Sequence, residues 1–276
     1  MGNAYEERLG TDRMLPLIFK MSLPAVAAQL VNLLYNIVDR IYIGHIPGIG
    51  TDALAGIGVT SAVIVLISSF SAIVGAGGSP LAAIALGRGN RERAGQILGN
   101  GFILLLIFTI LTSATTYLFM EPILLFTGAS ENTIGYATDY LSIYLLGTLF
   151  VELSVGLNTF INTQGRPTIA MYSVLIGAIL NIGLDPLFIF TFGMGVKGAA
   201  LATILSQACS AIWVISFLTS KKASLRLEYR YMKLHKGIIL SILALGVSPF
   251  IMASTESLVG FVLNSSLEKF GDIYVS

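Results

Sequence analysis

The stretch PTIAMYSVLIGAILNIGLDPLFIF (residues 167–190) is almost wholly apolar, yet it places Asn181, Asp185 and Pro186 near its end. A helix of this length crosses the roughly 30 Å hydrocarbon core of a bilayer. A charged side chain at membrane depth costs roughly 2.5–3.5 kcal/mol on insertion scales, so it needs a physical reason. The stretch therefore predicts a transmembrane helix that carries a functional polar group.

The composition extends this prediction to the whole chain. Of the 276 residues, 55% are hydrophobic and 11% are charged, whereas about 25% are charged in a typical soluble protein. The apolar runs predict seven spans and hence an all-α polytopic membrane protein. They cover residues 18–44, 54–86, 96–119, 134–158, 167–192, 196–219 and 237–265. The net charge of +1 gives no indication of nucleic-acid binding, and a single cysteine, Cys209, excludes an internal disulfide.

Basic residues concentrate on one side of the predicted membrane. All but three of the 16 basic residues lie either in the first 20 residues or in alternate connectors. Two of these connectors are LGRGNRERAGQ (86–96) and SKKASLRLEYRYMKLHKG (220–237). The exceptions are Arg40, Lys197 and Lys269. By the positive-inside rule the amino terminus is cytoplasmic, in a multi-pass protein of the cell membrane.

The seventh span resembles the first. SLPAVAAQLVNLLYN begins at Ser22 and SPFIMASTESLVGFVLN begins at Ser248, each with a proline near its predicted cytoplasmic end. Two parallel copies at the spacing of Pro24 and Pro249 would make a chain of about 450 residues. We therefore interpret the sequence as an amino-terminal fragment. Its predicted parts are a leader (1–17), a six-helix lobe (18–219), a linker (220–236) and the first helix of a second lobe (237–276).

Polar side chains from four predicted helices lie at one depth. At 1.5 Å per residue, Asp39 and Asp185 are about 28 Å and about 27 Å along their helices from the cytoplasmic side. Asn181 lies one turn below Asp185, and Tyr140 and Thr203 enter from the outside to a similar level. Two carboxylates in a low dielectric cannot both stay ionised cheaply, which predicts a site for H⁺ or Na⁺ rather than a permanent metal. The alternative is that these groups only join helices.

Other polar residues give weaker signals. Pro186 predicts a hinge beside Asp185, because it removes one backbone hydrogen bond. Glu256 is a further candidate, whereas Glu152 is more simply interpreted as a helix contact. His45 and His235 fall on opposite sides of the membrane and predict no metal site. Four residues are expected to line a cavity: Asn32, Tyr35, Asn36 and Asn158.

Several segments in order resemble the multidrug and toxic compound extrusion (MATE) transporters. They are LYNIVDRIYIG, LGRGNRERAG, NTQGRPTIAMYSVLIGAILNIGLDPLFIF and GMGVKGAALATILSQ. The resemblance is to the bacterial branch with an aspartate late in its first helix, and it covers the chain after the leader.

The resemblance implies a twelve-helix antiporter of two six-helix lobes. Such a protein exports amphipathic, often cationic drugs in exchange for H⁺ or Na⁺, and it needs no other cofactor. The resemblance also implies a cation-coupling role for five residues, with Asn158 nearby: Asp39, Asn181, Asp185, Tyr140 and Thr203. Glu256 lies where the family often has an acidic residue in its seventh helix. Helices eight to twelve are absent from this sequence, so a second lobe is expected in the full-length chain.

Three other classes of membrane protein share some of these features. A membrane aspartyl protease is expected to carry Tyr-Asp and Gly-x-Gly-Asp, but Val38 precedes one acid here and IGL (182–184) precedes the other, so no enzyme is predicted. A flippase of lipid-linked precursors shares the architecture, but its cavity would need several cations. Arg40 is the only basic residue more than two residues inside a predicted span. A non-transporting, half-length membrane subunit stays open.

Overall fold

The computed structural model describes residues 14–267 and Gly271, and this part contains helices and turns but no strand. Seven of its helices are long and apolar enough to cross a membrane. The predicted all-α polytopic class and the number of spans are therefore confirmed. Most of the predicted leader, with Arg8 and Arg13, and the tail with Lys269 lie outside the described residues.

The helix bounds follow the predicted spans, with most helices longer by a few residues. The helices are α1 (Met14–Gly44), α2 (Gly50–Gly87), α3 (Arg91–Leu118), α4 (Met120–Phe126), α5 (Ile134–Thr163), α6 (Pro167–Pro186), α7 (Val196–Thr219) and α8 (Lys236–Leu267). The short α4 was not predicted. It is separate from α3 because Pro122 has no backbone N–H and cannot continue the ladder of the preceding helix.

The end of α6 changes its winding at Pro186. The α-helix ends there, and Leu187–Thr191 form a π-helical turn. The N–H of Phe192 donates to the carbonyl of Leu187 with an N–O distance of 2.9 Å. A proline removes a donor from the helical ladder, so the chain adopts a wider turn immediately after Asp185.

Small residues set the packing of the helices in the bundle. A Cβ added at Gly78 of α2 would lie 2.8 Å from Cζ of Phe160, and one at Gly147 of α5 would lie 2.3 Å from Cβ of Ile204 in α7. Lipid gives helices little hydrophobic reason to associate, so close backbone approach supplies much of the attraction. These glycines therefore position α5 between α2 and α7.

The last helix, α8, lies along α2. A Cβ added at Gly77 would lie 2.2 Å from the carbonyl oxygen of Ile242, so the two backbones nearly touch. Further along, Ser257 Oγ donates to the carbonyl oxygen of Ala62 at 2.6 Å. The seventh span is thus held to the first six, although the division into two lobes stays a prediction.

The linker between α7 and α8 is also held in place. Leu225 is 1% exposed, and its N–H donates to Oε1 of Gln164 at 3.0 Å. Asn100 of α3 donates through Nδ2 to the carbonyl of Lys233 at 3.0 Å and accepts the N–H of His235 at 2.8 Å.

The first helix, α1, is less buried than the linker. Ile43 is the only buried residue of α1, and that helix packs mainly against α6.

Candidate functional site

Two carboxyl groups meet near the ends of α1 and α6. The side chains of Asp39 and Asp185 lie within hydrogen-bonding reach of each other. Asp185 is fully buried. The buried oxygens Oδ1 of Asp39 and Oδ2 of Asp185 receive no hydrogen bond from the part of the chain that the structure describes. A shared proton or a bound cation would satisfy both atoms. We call these two residues the acidic pair.

Three neighbours extend the acidic pair on α5, α6 and α7. Asn181 Nδ2 donates to Oδ1 of Asp185 at 3.2 Å and lies 3.4 Å from Oγ1 of Thr203. The side chain of Tyr140 lies close to that of Thr203. Oδ1 of Asn181 is buried and has no donor among the described residues. The structure thus brings together all five residues that the sequence placed at one depth.

The sequence of α6 explains why its polar side chains point inward. Ser173, Gly177, Asn181 and Asp185 recur every four residues, so they lie along one face, and all four are buried. The small residues at 173 and 177 let α7 approach, as a Cβ added at Gly177 would lie 2.6 Å from Oγ of Ser210. This close approach carries Thr203 to the level of Asn181.

The unbonded oxygens of this site are acceptors that suit a small hard cation. Proton sharing between carboxyls needs only two oxygens, whereas Na⁺ prefers several oxygen ligands, of the kind that carboxylate and amide groups supply. Within residues 14–267 and Gly271, no group of three or more histidine, cysteine, aspartate or glutamate residues could hold a metal ion. The arrangement therefore fits H⁺ or Na⁺ bound by two carboxyls and an amide.

A polar cavity of about 270 Å³ lies beside the site, between α1, α5, α6 and α7. Its polar lining includes Gln29, Asn32, Tyr35, Asn158, Gln207 and Ser210, and none of its described lining residues is charged. Tyr35 is one turn from Asp39 on α1 and interacts electrostatically with both members of the acidic pair. The cavity therefore ends next to the cation site.

The cavity contains three of the four residues predicted to line it. Asn32, Tyr35 and Asn158 line its wall, and Oδ1 of Asn158 is buried with no donor among the described residues. Asn36 is exposed instead and donates to the carbonyl of Asn32 at 2.7 Å. Glu256 is exposed on α8 and belongs to neither the cavity nor the acidic pair.

Two features of this region were missed in the sequence. Ser154 of α5 donates to Oε1 of Gln207 in α7 at 2.9 Å, and both residues line the cavity. A glutamine inside an apolar run was a visible signal of a polar lining. Tyr144 stacks on Tyr140 with 6.2 Å between ring centroids, and the spacing of four residues on one helix indicated that contact.

The chain is similar to a family of known transport proteins. The MatE family model matches residues 24–187. The chain is 27% identical over 255 residues to "Multidrug export protein MepA" of Staphylococcus haemolyticus, a match that covers 92% of this chain and 56% of that relative. The chain thus spans little more than half the length of the curated relative that it matches.

Two solved structures are similar along most of the chain. One is described as the inward-facing conformation of a multidrug resistance MATE family transporter of the MOP superfamily, with 27% identity and a TM-score of 0.82. It matches 94% of this chain and 59% of its own. The other is a MOP superfamily transporter from Pyrococcus furiosus whose description infers a different function from the reverse polarity of its binding pocket. It has 28% identity and a TM-score of 0.82, and the match covers 90% of this chain and 55% of that one.

Proposed function

Because the chain belongs to the MatE family, we propose that it forms the amino-terminal part of a multidrug exporter that exchanges drugs for H⁺ or Na⁺. The observation that carries this proposal is the acidic pair, with its unbonded oxygens, at the end of an uncharged polar cavity. One site would hold the coupling cation and the other would hold part of the drug. The protein would act in the cell membrane with a cytoplasmic amino terminus.

The proposed coupling works through α1 and the end of α6. Binding of H⁺ or Na⁺ from outside neutralises the acidic pair and draws its carboxyl groups together. α1 packs mainly against α6, so a change at the acidic pair, which joins these two helices, can move α1 relative to α6. The π-helical turn after Pro186 gives α6 a second adjustable element. Movement of α1 narrows the adjoining cavity and expels the drug.

The cavity suits amphipathic organic compounds. Drug-sized ligands occupy pockets of roughly 300–1,000 Å³, so the cavity of about 270 Å³ would form only part of a binding site. Its amide and hydroxyl groups can accept hydrogen bonds from a cationic drug, and the acidic pair attracts positive charge. We propose that a second lobe completes the cavity, because alternating access in such transporters needs two lobes that move against each other.

The flippase alternative is less well supported. A lipid-linked pyrophosphate needs several cationic side chains, whereas the cavity is lined by uncharged residues among those that the structure describes. A non-transporting half-length subunit is distinguished by the native length of the protein. Intact mass spectrometry of the protein from its source membranes measures that length, and a mass well above that of these 276 residues supports the second lobe.

Efflux at the native length tests the coupling role. We expect Asp39→Asn and Asp185→Asn each to reduce cation-driven efflux of ethidium to the level of cells without the transporter, with insertion unchanged. The matched control is Asp139→Asn, because Asp139 forms a half-exposed ion pair with Lys197 at 3.3 Å and is not a member of the acidic pair. Undiminished efflux in both acidic-pair variants would contradict the proposal.

A further inference from the structure

Glu152 is a buried carboxyl group that the proposed coupling site does not use. It lies in the middle of α5 and is 1% exposed. Both of its carboxyl oxygens are buried, and neither receives a hydrogen bond from the described part of the chain. This differs from a polar side chain that joins two helices, because such a side chain has a partner on the neighbouring helix.

The surroundings of Glu152 are formed by α2 and α3. The side chain of Tyr144, two turns earlier on α5, lies close to that of Ser68 in α2. Gly156, one turn later, packs on α3, since a Cβ added there would lie 2.8 Å from Cδ2 of Leu105. Residues four apart share one helix face. Glu152 therefore lies on the buried side of α5 that packs against α2 and α3, and it is not part of the cavity lining.

The ionisable groups around Glu152 are few. Both α2 and α3 are fully described, and they carry such groups only near their ends, at Asp52, Arg91, Glu92, Arg93 and Tyr117. Tyr144 on α5 interacts electrostatically with Glu152 and with Tyr35 of α1. Tyr35 interacts in turn with Asp39 and Asp185. No cation therefore faces Glu152 from α2 or α3, and two tyrosines separate it from the acidic pair.

An ionised carboxylate in this position would have neither a donor nor a counter-ion, which is the costliest way to bury an acid. The neutral acid avoids this cost, since its O–H can donate to a backbone carbonyl of the helix. We propose that Glu152 is a second proton-binding site of this protein, separate from the acidic pair and located between α5, α2 and α3. This inference does not depend on drug transport.

The consequence concerns the packing of α5. With its proton, Glu152 is compatible with the close contacts of α5 to α2 and α3. Release of the proton leaves a negative charge among the apolar side chains between α5, α2 and α3. This charge favours entry of water and weakens the packing between these helices. The two proton-binding sites are linked electrostatically through a row of side chains: Asp39, Tyr35, Tyr144 and Glu152. Proton occupancy of one site therefore affects proton occupancy of the other.

Infrared spectroscopy of the purified chain, labelled with ¹³C-glutamate, tests the proposal. The carbonyl band of a protonated carboxyl group is separate from the carboxylate bands, and the label distinguishes glutamate from aspartate. We expect a glutamate-derived protonated band at neutral pH, which disappears reversibly as the pH is raised while helicity is retained. Glu152→Gln should remove this band, whereas Asp39→Asn and the exposed Glu256→Gln should leave it.

Three outcomes would overturn the proposal. One is the absence of a glutamate-derived protonated band in the folded, labelled chain at neutral pH, a result that needs no variant and holds even if Glu152→Gln does not fold. Another is persistence of the band in a folded Glu152→Gln chain. The third is a band that stays unchanged up to the pH of unfolding, because that glutamate would be permanently neutral rather than a proton-binding site. None of these results depends on efflux.

Discussion

The side-chain amide of Asn181 donates to Asp185 one turn further along α6, with Nδ2 3.2 Å from Oδ1. This bond leaves the other carboxyl oxygen of Asp185 directed away from the amide, without a donor from the described residues. Asn181 therefore orients one side of the acidic pair, and its own Oδ1 stays available as an acceptor. Cation affinity should depend on this amide although it carries no charge.

Replacing Asn181 with alanine should weaken cation binding. The loss of one buried hydrogen bond costs about 1 kcal/mol, which corresponds to about a fivefold lower affinity. The measurement is the concentration of H⁺ or Na⁺ that gives half-maximal efflux in the protein at its native length. Asn36→Ala is the control, since Asn36 is exposed and bonds only within its own helix. An unchanged half-maximal concentration in Asn181→Ala would rule out the orienting role.

Pro186→Ala should increase the stability of the protein but lower its rate of transport. Alanine restores the missing donor and removes up to about 3 kcal/mol of helix disruption, so the unfolding temperature in detergent should rise. The efflux rate should fall, because α6 would lose the adjustable turn beside Asp185. Pro122→Ala in the short α4 serves as the comparison and should leave efflux unchanged. A variant with normal efflux would show that the π-helical turn has no part in coupling.

Gly77→Ala should destabilise the contact between α2 and α8. Its Cβ would lie 2.2 Å from the carbonyl oxygen of Ile242, a backbone atom that cannot move aside alone. Overpacking of this kind costs about 1–3 kcal/mol, measured as a lower unfolding midpoint in detergent. Gly87→Ala, on the same helix, meets nothing within 4 Å and should unfold like the unmodified chain. Equal midpoints for both variants would mean that the two helices are not in close contact.

Asn100→Ala should release the linker between α7 and α8. The change removes the two bonds that hold Lys233 and His235, at a cost of about 2–3 kcal/mol for two buried hydrogen bonds. The measurement is the rate of trypsin cleavage after the basic residues of the linker, which should increase. Asn90→Ala removes the N-cap of α3 and should lower stability without exposing the linker. Equal cleavage rates would show that Asn100 does not anchor it.

Much of the fold could be predicted because hydropathy is a local property of the chain. The seven spans, their ends within a few residues and the depth of Asp39 and Asp185 all follow from residue counts at 1.5 Å per residue. Depth alone was enough to group five residues that the structure brings together. The division into lobes and the cytoplasmic amino terminus remain predictions from the sequence.

Rotation of each helix about its axis was decided by tertiary packing. Asn32 and Asn36 are one turn apart, yet one lines the cavity and the other is exposed. Glu152 looked like a helix contact, but close packing of α5 on α2 and α3 leaves it buried without a donor among the described residues. Apolar residues occupy most faces of each of these helices, so the hydropathy pattern along the chain does not identify the face that points inward. The sequence determined the level of each polar group in the membrane, whereas close contacts at small residues decided which groups meet.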